Sequence, residues 1–372
     1  MKSIRVKKAL SVITVILGVT LGTQAKSSDQ VNLCVFPPQE SLISIPEDDA
    51  PKFLADGWLL NAYSFYADMT DISNGDRYGI LAIYLSFFDT TLFAVGSVTD
   101  VAAQNYVHQP WLSFGPTFTP TEDGFDLFLP DGPTSANGPV ATGENGRVAF
   151  DLAVGGYEAK LNYESLKDAA AFFDDGFGAY IDPETGQDVG SNFYYGRYRN
   201  LVYGTLKRPG DHWPRPVIGS GGWDHQFGAS LQGDVKWTWY YIRLDNGEEV
   251  MMFDITMRES GARVIKSATL MGKAPLCKYE TFNDEEFVTN ASGEYISPHS
   301  GNVYPTTLEF AIPSKGLQLT LTPAMQDQEL VNMFGLVTPS YHGIATVEGT
   351  RNGKRVTGGA DIQLVGFGGA LE

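Results

Sequence analysis

Sustained helical periodicity is missing from this 372-residue chain, and so is most of the machinery on which common catalysis depends. The five histidines (His108, His212, His225, His299, His342) show no metal-ligand spacing. There is no Gly-x-Ser-x-Gly elbow, no phosphate-binding Gly-rich loop and no dinucleotide fingerprint. The sequence therefore implies no metal and no cofactor. Positive charge is also scarce, with 26 Lys and Arg against 44 Asp and Glu and a net charge of -18. No Lys/Arg cluster offsets this, so nucleic acid is excluded as a partner. Long apolar runs are confined to Ala9–Gly22, which falls short of the roughly 20 residues a transmembrane helix needs.

That run follows Lys2, Arg5, Lys7 and Lys8 and ends in Thr23-Gln24-Ala25, the three-part layout of a secretory signal peptide over residues 1–25. The expected mature protein starts near Lys26 and is exported, to the periplasm or beyond, with no integral membrane span. Losing four positive charges takes its net charge from -18 to -22. Only two cysteines are present, Cys34 and Cys277. In an oxidising compartment they make one disulfide that pins the start of the mature chain to its second half. Two buried thiols are the alternative.

What is abundant is Gly (41), Pro (20) and aromatic side chains, the profile of many short strands joined by tight turns. The one plausible helix is the short, Ala-rich Ser165–Phe173. The clearest hairpin joins Lys236–Leu244 to Glu249–Met257 through Asp245-Asn246-Gly247-Glu248, since Asn-Gly accepts the positive φ of a tight turn. A similar arrangement runs from Trp58 through Asn74-Gly75-Asp76 to Tyr78–Phe88. A second signature also recurs: Val202-x-Gly204-Thr205 precedes Val217-x-Gly219, as Val347-x-Gly349-Thr350 precedes Val356-x-Gly358. The repetition implies duplication of one β unit of about 170 residues, a size suited to a single antiparallel barrel. The Pro-rich stretch Arg208–Pro216 is the expected joint, dividing residues 26–210 from 211–372.

Register in the Asn-Gly hairpin selects a candidate acid. With Asn246 and Gly247 as a two-residue loop, Tyr241 opposes Met252, Trp239 opposes Asp254 and Trp237 opposes Thr256, all on one face. Asp254 then lies between tryptophans, where desolvation keeps a carboxyl protonated to higher pH and suits it to general-acid chemistry. Surrounding π faces would steady a neighbouring cation. The alternative is a solvated Asp254, or one bonded to a rim residue such as Arg243. The second candidate segment is Trp223-Asp224-His225-Gln226-Phe227-Gly228, whose extended form puts Trp223, His225 and Phe227 on one face and Asp224 and Gln226 on the other.

These pieces, in this order, resemble the AttH/carotenoid 1,2-hydratase (hydroxyneurosporene synthase) lipocalin-like family. They are Asp56-Gly57-Trp58 with its hairpin, Asn192-Phe-Tyr-Tyr-Gly-Arg-Tyr198, the Trp223–Gly228 segment, the Trp237/Trp239 strand, and Tyr341–Thr350 followed by Gln363–Phe367. The resemblance implies an all-β chain of two consecutive lipocalin-like (calycin) antiparallel barrels. In the family's hydratases a His-x-Trp pair and a Tyr-x-Asp pair are implicated in catalysis. Carried over, the first pair falls on His225 and Phe227 and the second on Met252 and Asp254, so one indole and one phenol are replaced. The implied function is that of a cofactor-independent hydratase, isomerase or cyclase acting on an apolar terpenoid-like or polyene-like small molecule. Asp254 and His225 would be catalytic, and Trp223, Phe227, Trp237, Trp239, Tyr241 and Met252 would hold the substrate. A non-catalytic container for a hydrophobic metabolite is the competing reading, and a structural role without ligand is a third.

Overall fold

The computed structural model describes residues 43, 47–53, 57–115, 118–119, 124–129, 132–138, 147–229, 235–273, 277–334 and 338–368. The expected signal segment, the expected mature start and Cys34 lie outside these residues. Cys277 is buried, and the bridge to Cys34 stays an expectation.

Period-two burial builds the strands. Arg147–Val154 exposes and buries successive residues in strict alternation and turns back at Gly155-Gly156, both with positive φ, as a tight hairpin requires. The first sheet contains β1 (Leu60–Asp71), β2 (Arg77–Phe87), β3 (Thr91–Asp100), β4 (Asn105–Phe114), β5 (Phe125–Phe128) and β6 (Thr134–Gly138). It continues through β7 (Arg147–Val154), β8 (Tyr157–Ser165), β9 (Ala170–Ala171), β10 (Phe177–Ile181), β11 (Asp188–Lys207) and β12 (Arg215–Ala229). Its order is β4-β3-β2-β1-β12-β11-β8-β7-β6-β5, antiparallel throughout, and it curls until β3 faces β6 and β7 across a shared core.

The second sheet contains β13 (Val235–Leu244), β14 (Glu249–Met257), β15 (Arg263–Met271), β16 (Tyr279–Asn283) and β17 (Val288–Ser292). After a separate small hairpin of β18 (Tyr295–Ile296) and β19 (Val303–Tyr304) come β20 (Thr307–Ile312), β21 (Leu317–Pro323), β22 (Glu329–Leu330), β23 (Ser340–Arg351) and β24 (Lys354–Val365). Its order is β16-β15-β14-β13-β24-β23-β21-β20-β17. The two sheets are two lipocalin-like units, and the chain is all-β.

The duplicated signature is the seam of each unit. Val202 pairs with Gly219 and Gly204 with Val217 across β11–β12, while Val347 pairs with Gly358 and Gly349 with Val356 across β23–β24. Each of these glycines sits where a neighbouring strand leaves no room for a Cβ. One added at Gly219 would lie 2.1 Å from the Asp68 carbonyl, and one at Gly358 2.0 Å from that of Arg243. The equivalence of β12 with β24 corrects the expected joint at 210/211. β12 is hydrogen-bonded between β1 and β11 as the closing strand of the first sheet, and the change of sheet falls between Ala229 and Val235. Prolines at 209, 214 and 216 mark the β11–β12 turn instead.

The expected helix at Ser165–Phe173 also does not form. Its backbone is drawn into the sheet, where Leu166 donates to the Arg199 carbonyl and Phe172 to that of Tyr194, while the Phe172 ring packs on Tyr194 and Tyr198. A nine-residue segment cannot offset those contacts with helical ones.

Three apolar cores result. One fills the first barrel (Tyr63, Phe65, Phe125, Phe150, Trp223, Phe227) and a second fills the other (Tyr240, Met252, Leu270, Phe310, Ile362). The third lies between the barrels and joins Tyr66, Phe172, Tyr194 and Tyr198 to Trp239, Tyr241, Met251 and Phe253. Polar clamps hold that interface. Arg77 binds Asp68 and reaches across to the Ala345 carbonyl and the Thr346 hydroxyl, and Lys167 with Arg199 embraces the buried Glu249.

Candidate functional site

The Asn246-Gly247 hairpin forms, but with a three-residue loop. Leu244 donates to the Glu248 carbonyl at 2.9 Å, Gly247 donates back to Leu244 at 3.1 Å, and Gly247 has φ +87°. This is the longer hairpin in which a turn is followed by a left-handed residue, and it shifts the pairing by one position relative to a two-residue loop. Tyr241 therefore opposes Met251, Trp239 opposes Phe253, Trp237 opposes Ile255, and Asp254 opposes Thr238. The one-residue slip sends Asp254 to the other face from Trp237, Trp239 and Tyr241.

The expected site residues thus separate into three compartments. Trp237, Trp239 and Tyr241 face the interface between barrels, and Met252 lies in the core of the second barrel. Asp254 follows Met252 on the inner face but at the rim. Its Oδ1 accepts from Arg263 Nε at 3.2 Å, and Arg263 and Lys266 both bind Asp284 as well. Burial raises the Asp254 pKa, while Arg263 and Lys266 oppose the rise. Asp254 is half-buried and part of an ion network, not an acid caged by indoles. Trp223, His225 and Phe227 do share one face, pointing into the first barrel.

His225 is fully buried, stacked on Tyr63 with ring centroids 4.0 Å apart, and held at both nitrogens. Nδ1 lies 2.8 Å from the Asp48 carbonyl and Nε2 2.6 Å from Asn61 Oδ1. Burial depresses its pKa well below the ordinary value, so the ring is neutral. A carbonyl only accepts, so the single proton belongs on Nδ1. Nε2 then needs a donor, and turning the Asn61 amide supplies one from its Nδ2, which has no other partner among the described residues. A neutral, doubly tethered imidazole is a positioning group and a poor proton donor.

The acid among aromatics is Asp224, the neighbour of His225 on the opposite face of β12. Alternation that sends His225 into the first barrel sends Asp224 into the interface core. Its carboxyl is 2 % exposed and accepts from the Tyr194 hydroxyl at 3.1 Å, with the Ser64 and Tyr66 hydroxyls facing it at longer range. Tyr66 stands 5.5 Å from Trp239 and 5.0 Å from Tyr241, centroid to centroid, and Tyr241 stands 4.9 Å from Tyr198. Desolvation is the largest influence on the carboxyl and pushes its pKa up to about 7, against the lowering effect of the hydroxyls. Asp224 Oδ1, the hydroxyls of Tyr66, Tyr198 and Tyr241, and Trp239 Nε1 are buried without a hydrogen-bond partner among the described residues. So many unsatisfied donors around one acid mark a place whose polar groups serve something other than the fold. Trp239 and Tyr241 reach Asp224 only through Tyr66, on whose ring both pack. The sequence signal was the alternation that separates Asp224 from His225, an acid flanked on both sides by apolar-face residues in mid-strand.

Among the described residues no group of three His, Cys, Asp or Glu could hold a metal ion, and no helix is long and apolar enough to cross a membrane. A family model described as AttH-like matches residues 88–359. No curated protein matches the chain in sequence. Among solved structures, an AttH protein from Nitrosomonas europaea is similar with a TM-score of 0.72 and 18 % identity, over 89 % of this chain and 99 % of the other. Kievitone hydratase from Nectria haematococca is similar with a TM-score of 0.66 and 17 % identity, over 89 % of this chain and 97 % of the other. At these identities the likeness is one of fold.

Proposed function

The chain belongs to the AttH-like family, and from that premise we propose that it is an exported, cofactor-independent enzyme of hydratase, isomerase or cyclase type acting on an apolar terpenoid-like or polyene-like molecule. The observation that carries the reading is Asp224, a buried carboxyl beside the Tyr194 and Tyr66 phenols, whose pKa burial pushes up to about 7 so that it keeps a share of its proton at neutrality. The protonated acid delivers its proton to one carbon of a C=C bond, leaving the cation on the other carbon. The π faces of Tyr66, Trp239 and Tyr241 stabilise that cation. In hydration, water adds to the cation and its surplus proton returns to the Asp224 carboxylate, with Tyr194 bonded to the same group. In isomerisation, the carboxylate instead removes a proton from a carbon next to the cation. Either way the acid is regenerated and no redox partner is required.

His225 acts at one remove, by fixing β12 from the barrel side of the same strand. Asp254 has no role in the chemistry. The test is turnover of prenylated and polyene substrates by the wild type, Asp224→Asn and Asp254→Asn. Loss of turnover in Asp224→Asn with a folded protein is expected, and Asp254→Asn should stay within about twofold of wild type. Full activity in Asp224→Asn would refute the proton-donor assignment.

A further inference from the structure

A second polar centre lies at the end of the first barrel that Glu47–Asp49 enters, and proton transfer at Asp224 makes no use of it. Four donors on the barrel wall converge there on acceptors supplied by this short segment. Tyr63 donates to the Asp49 carbonyl at 2.9 Å, and His225 Nδ1 meets the Asp48 carbonyl at 2.8 Å. The Tyr195 hydroxyl lies 3.0 Å from the Asp48 carbonyl and 2.6 Å from Asp49 Oδ1. Arg197, 7 % exposed at its side chain, faces the other Asp49 oxygen at 3.5 Å and covers the Trp223 ring.

The fit between Asp49 and Arg197 is poor. An Arg fork binds a carboxylate best through two parallel N–H bonds. Here one terminal nitrogen makes a long contact, and Arg197 Nε has no partner among the described residues. Asp49 is constrained by the backbone on either side of its Cα: its own carbonyl accepts from Tyr63, and the preceding Asp48 carbonyl is committed to Tyr195 and His225. Burial outweighs Arg197 and raises the Asp49 pKa, so the resident carboxylate is weakly held in its charged form. Beside this centre is an apolar surface. Trp58, Phe193 and Phe227 form a mutual cluster with centroids 5.0 to 5.5 Å apart, Phe227 stands 5.0 Å from His225, and Lys52 of the inserted segment covers the Phe227 ring.

We propose that this end of the first barrel is a receptor for a carboxylate on an apolar stem, filled in this structure by the chain's own Asp49. An arriving monocarboxylate takes both faces of the Arg197 fork and the Tyr195 hydroxyl, displaces the 47–53 segment, and lays its stem across Trp58, Phe193 and Phe227. The site is independent of Asp224, which lies on the other face of β12.

The experiment compares decanoate with decanol by calorimetry on the full-length protein and its variants, with hydrogen exchange read over residues 47–53. Decanoate should bind wild type and speed exchange in that segment, and decanol should do neither. Asp49→Asn keeps an acceptor for Tyr195 while releasing Arg197, and should raise decanoate affinity about tenfold or more. Adding Arg197→Gln should cancel the gain. If that double variant does not fold, Arg197→Lys keeps the charge without the fork and should cancel most of it. Equal binding of acid and alcohol, no gain in Asp49→Asn, or unchanged exchange at 47–53 would each overturn the proposal. Asp224→Asn should bind decanoate as wild type does, so loss of turnover there and loss of binding here are separable.

Discussion

Replacing Asp224 by Asn should change how stability depends on pH, in a direction fixed by the burial of the carboxyl. Its folded pKa, about 7, lies above the ordinary carboxylate value, so the folded state holds the proton more tightly than the unfolded chain does. The stabilisation from that proton is complete below the unfolded pKa and is lost as pH rises through the folded one. A rise from ~3.9 to about 7 corresponds to about 4 kcal/mol in full, of which about 1 to 2 kcal/mol has developed by pH 5. About 3 kcal/mol therefore remains to appear between pH 5 and pH 8. Asn has the shape of the neutral acid and an oxygen for the Tyr194 hydroxyl, and it does not titrate. Measured by urea unfolding followed through tryptophan fluorescence, Asp224→Asn should gain on wild type by about 3 kcal/mol over that interval. Other titrating groups contribute to both proteins and cancel in the difference. A stability difference that is the same at pH 5 and pH 8 would refute the buried, protonated state of Asp224.

Four further outcomes follow from the same geometry. His225 should stay neutral down to acid pH, so its ring signals in an NMR titration should not move between pH 8 and pH 5.5; a midpoint near the ordinary value would contradict its burial. Asp254→Asn removes an ion pair whose Arg263 partner is 41 % exposed at the side chain, so thermal unfolding should register no more than about 0.5 kcal/mol after solvent screening. Gly219→Ala drives a methyl group to 2.1 Å from the Asp68 carbonyl and should cost at least about 2 kcal/mol in chemical denaturation. An Ala at Gly75, where the turn is open around an added Cβ but φ is +87°, should cost less, through strain alone.

Much of this architecture is legible in the sequence because β structure has a period of two and glycine marks its constraints. Asn74-Gly75 and Asn246-Gly247 both end as turns, and the Val-x-Gly repeats both end at equivalent pairings. The repeats also carry the position of the joint, since Val217-x-Gly219 is the counterpart of Val356-x-Gly358 in a closing strand; three prolines nearby are the more conspicuous signal and the misleading one. The face of Asp254 is not legible, because a two-residue and a three-residue loop differ by one residue around the same Asp-Asn-Gly and every side chain downstream changes face. Asp224 shares the face opposite His225 with Gln226 and reads there as an ordinary outer polar residue; only the packing of a second barrel against β12 makes that outer face an interior. The Asp49–Arg197 contact is out of reach of local patterning, since it joins residues far apart in sequence through an insertion that belongs to no sheet.

Closure of each unit has a consequence for how the chain comes to be folded. β12 returns to β1 and β24 returns to β13, pairing Leu60 with Gly228 and Trp237 with Val365. The β1–β12 and β13–β24 pairings thus join the first strand of each sheet to its last. Loop-closure entropy is lost before those contacts form, so topology makes both barrels slow folders. The buried acid, the interface aromatics and the donors around Asp49 all depend on β12, the final strand of the first unit. A chain stopped just before β12 would carry most of the first core with open edges on β1 and β11, poised to pair with another copy. On the export route proposed above, the closing pairs of the first unit would form only after residues up to 229 had been delivered, so this strand order would keep the unit open during threading.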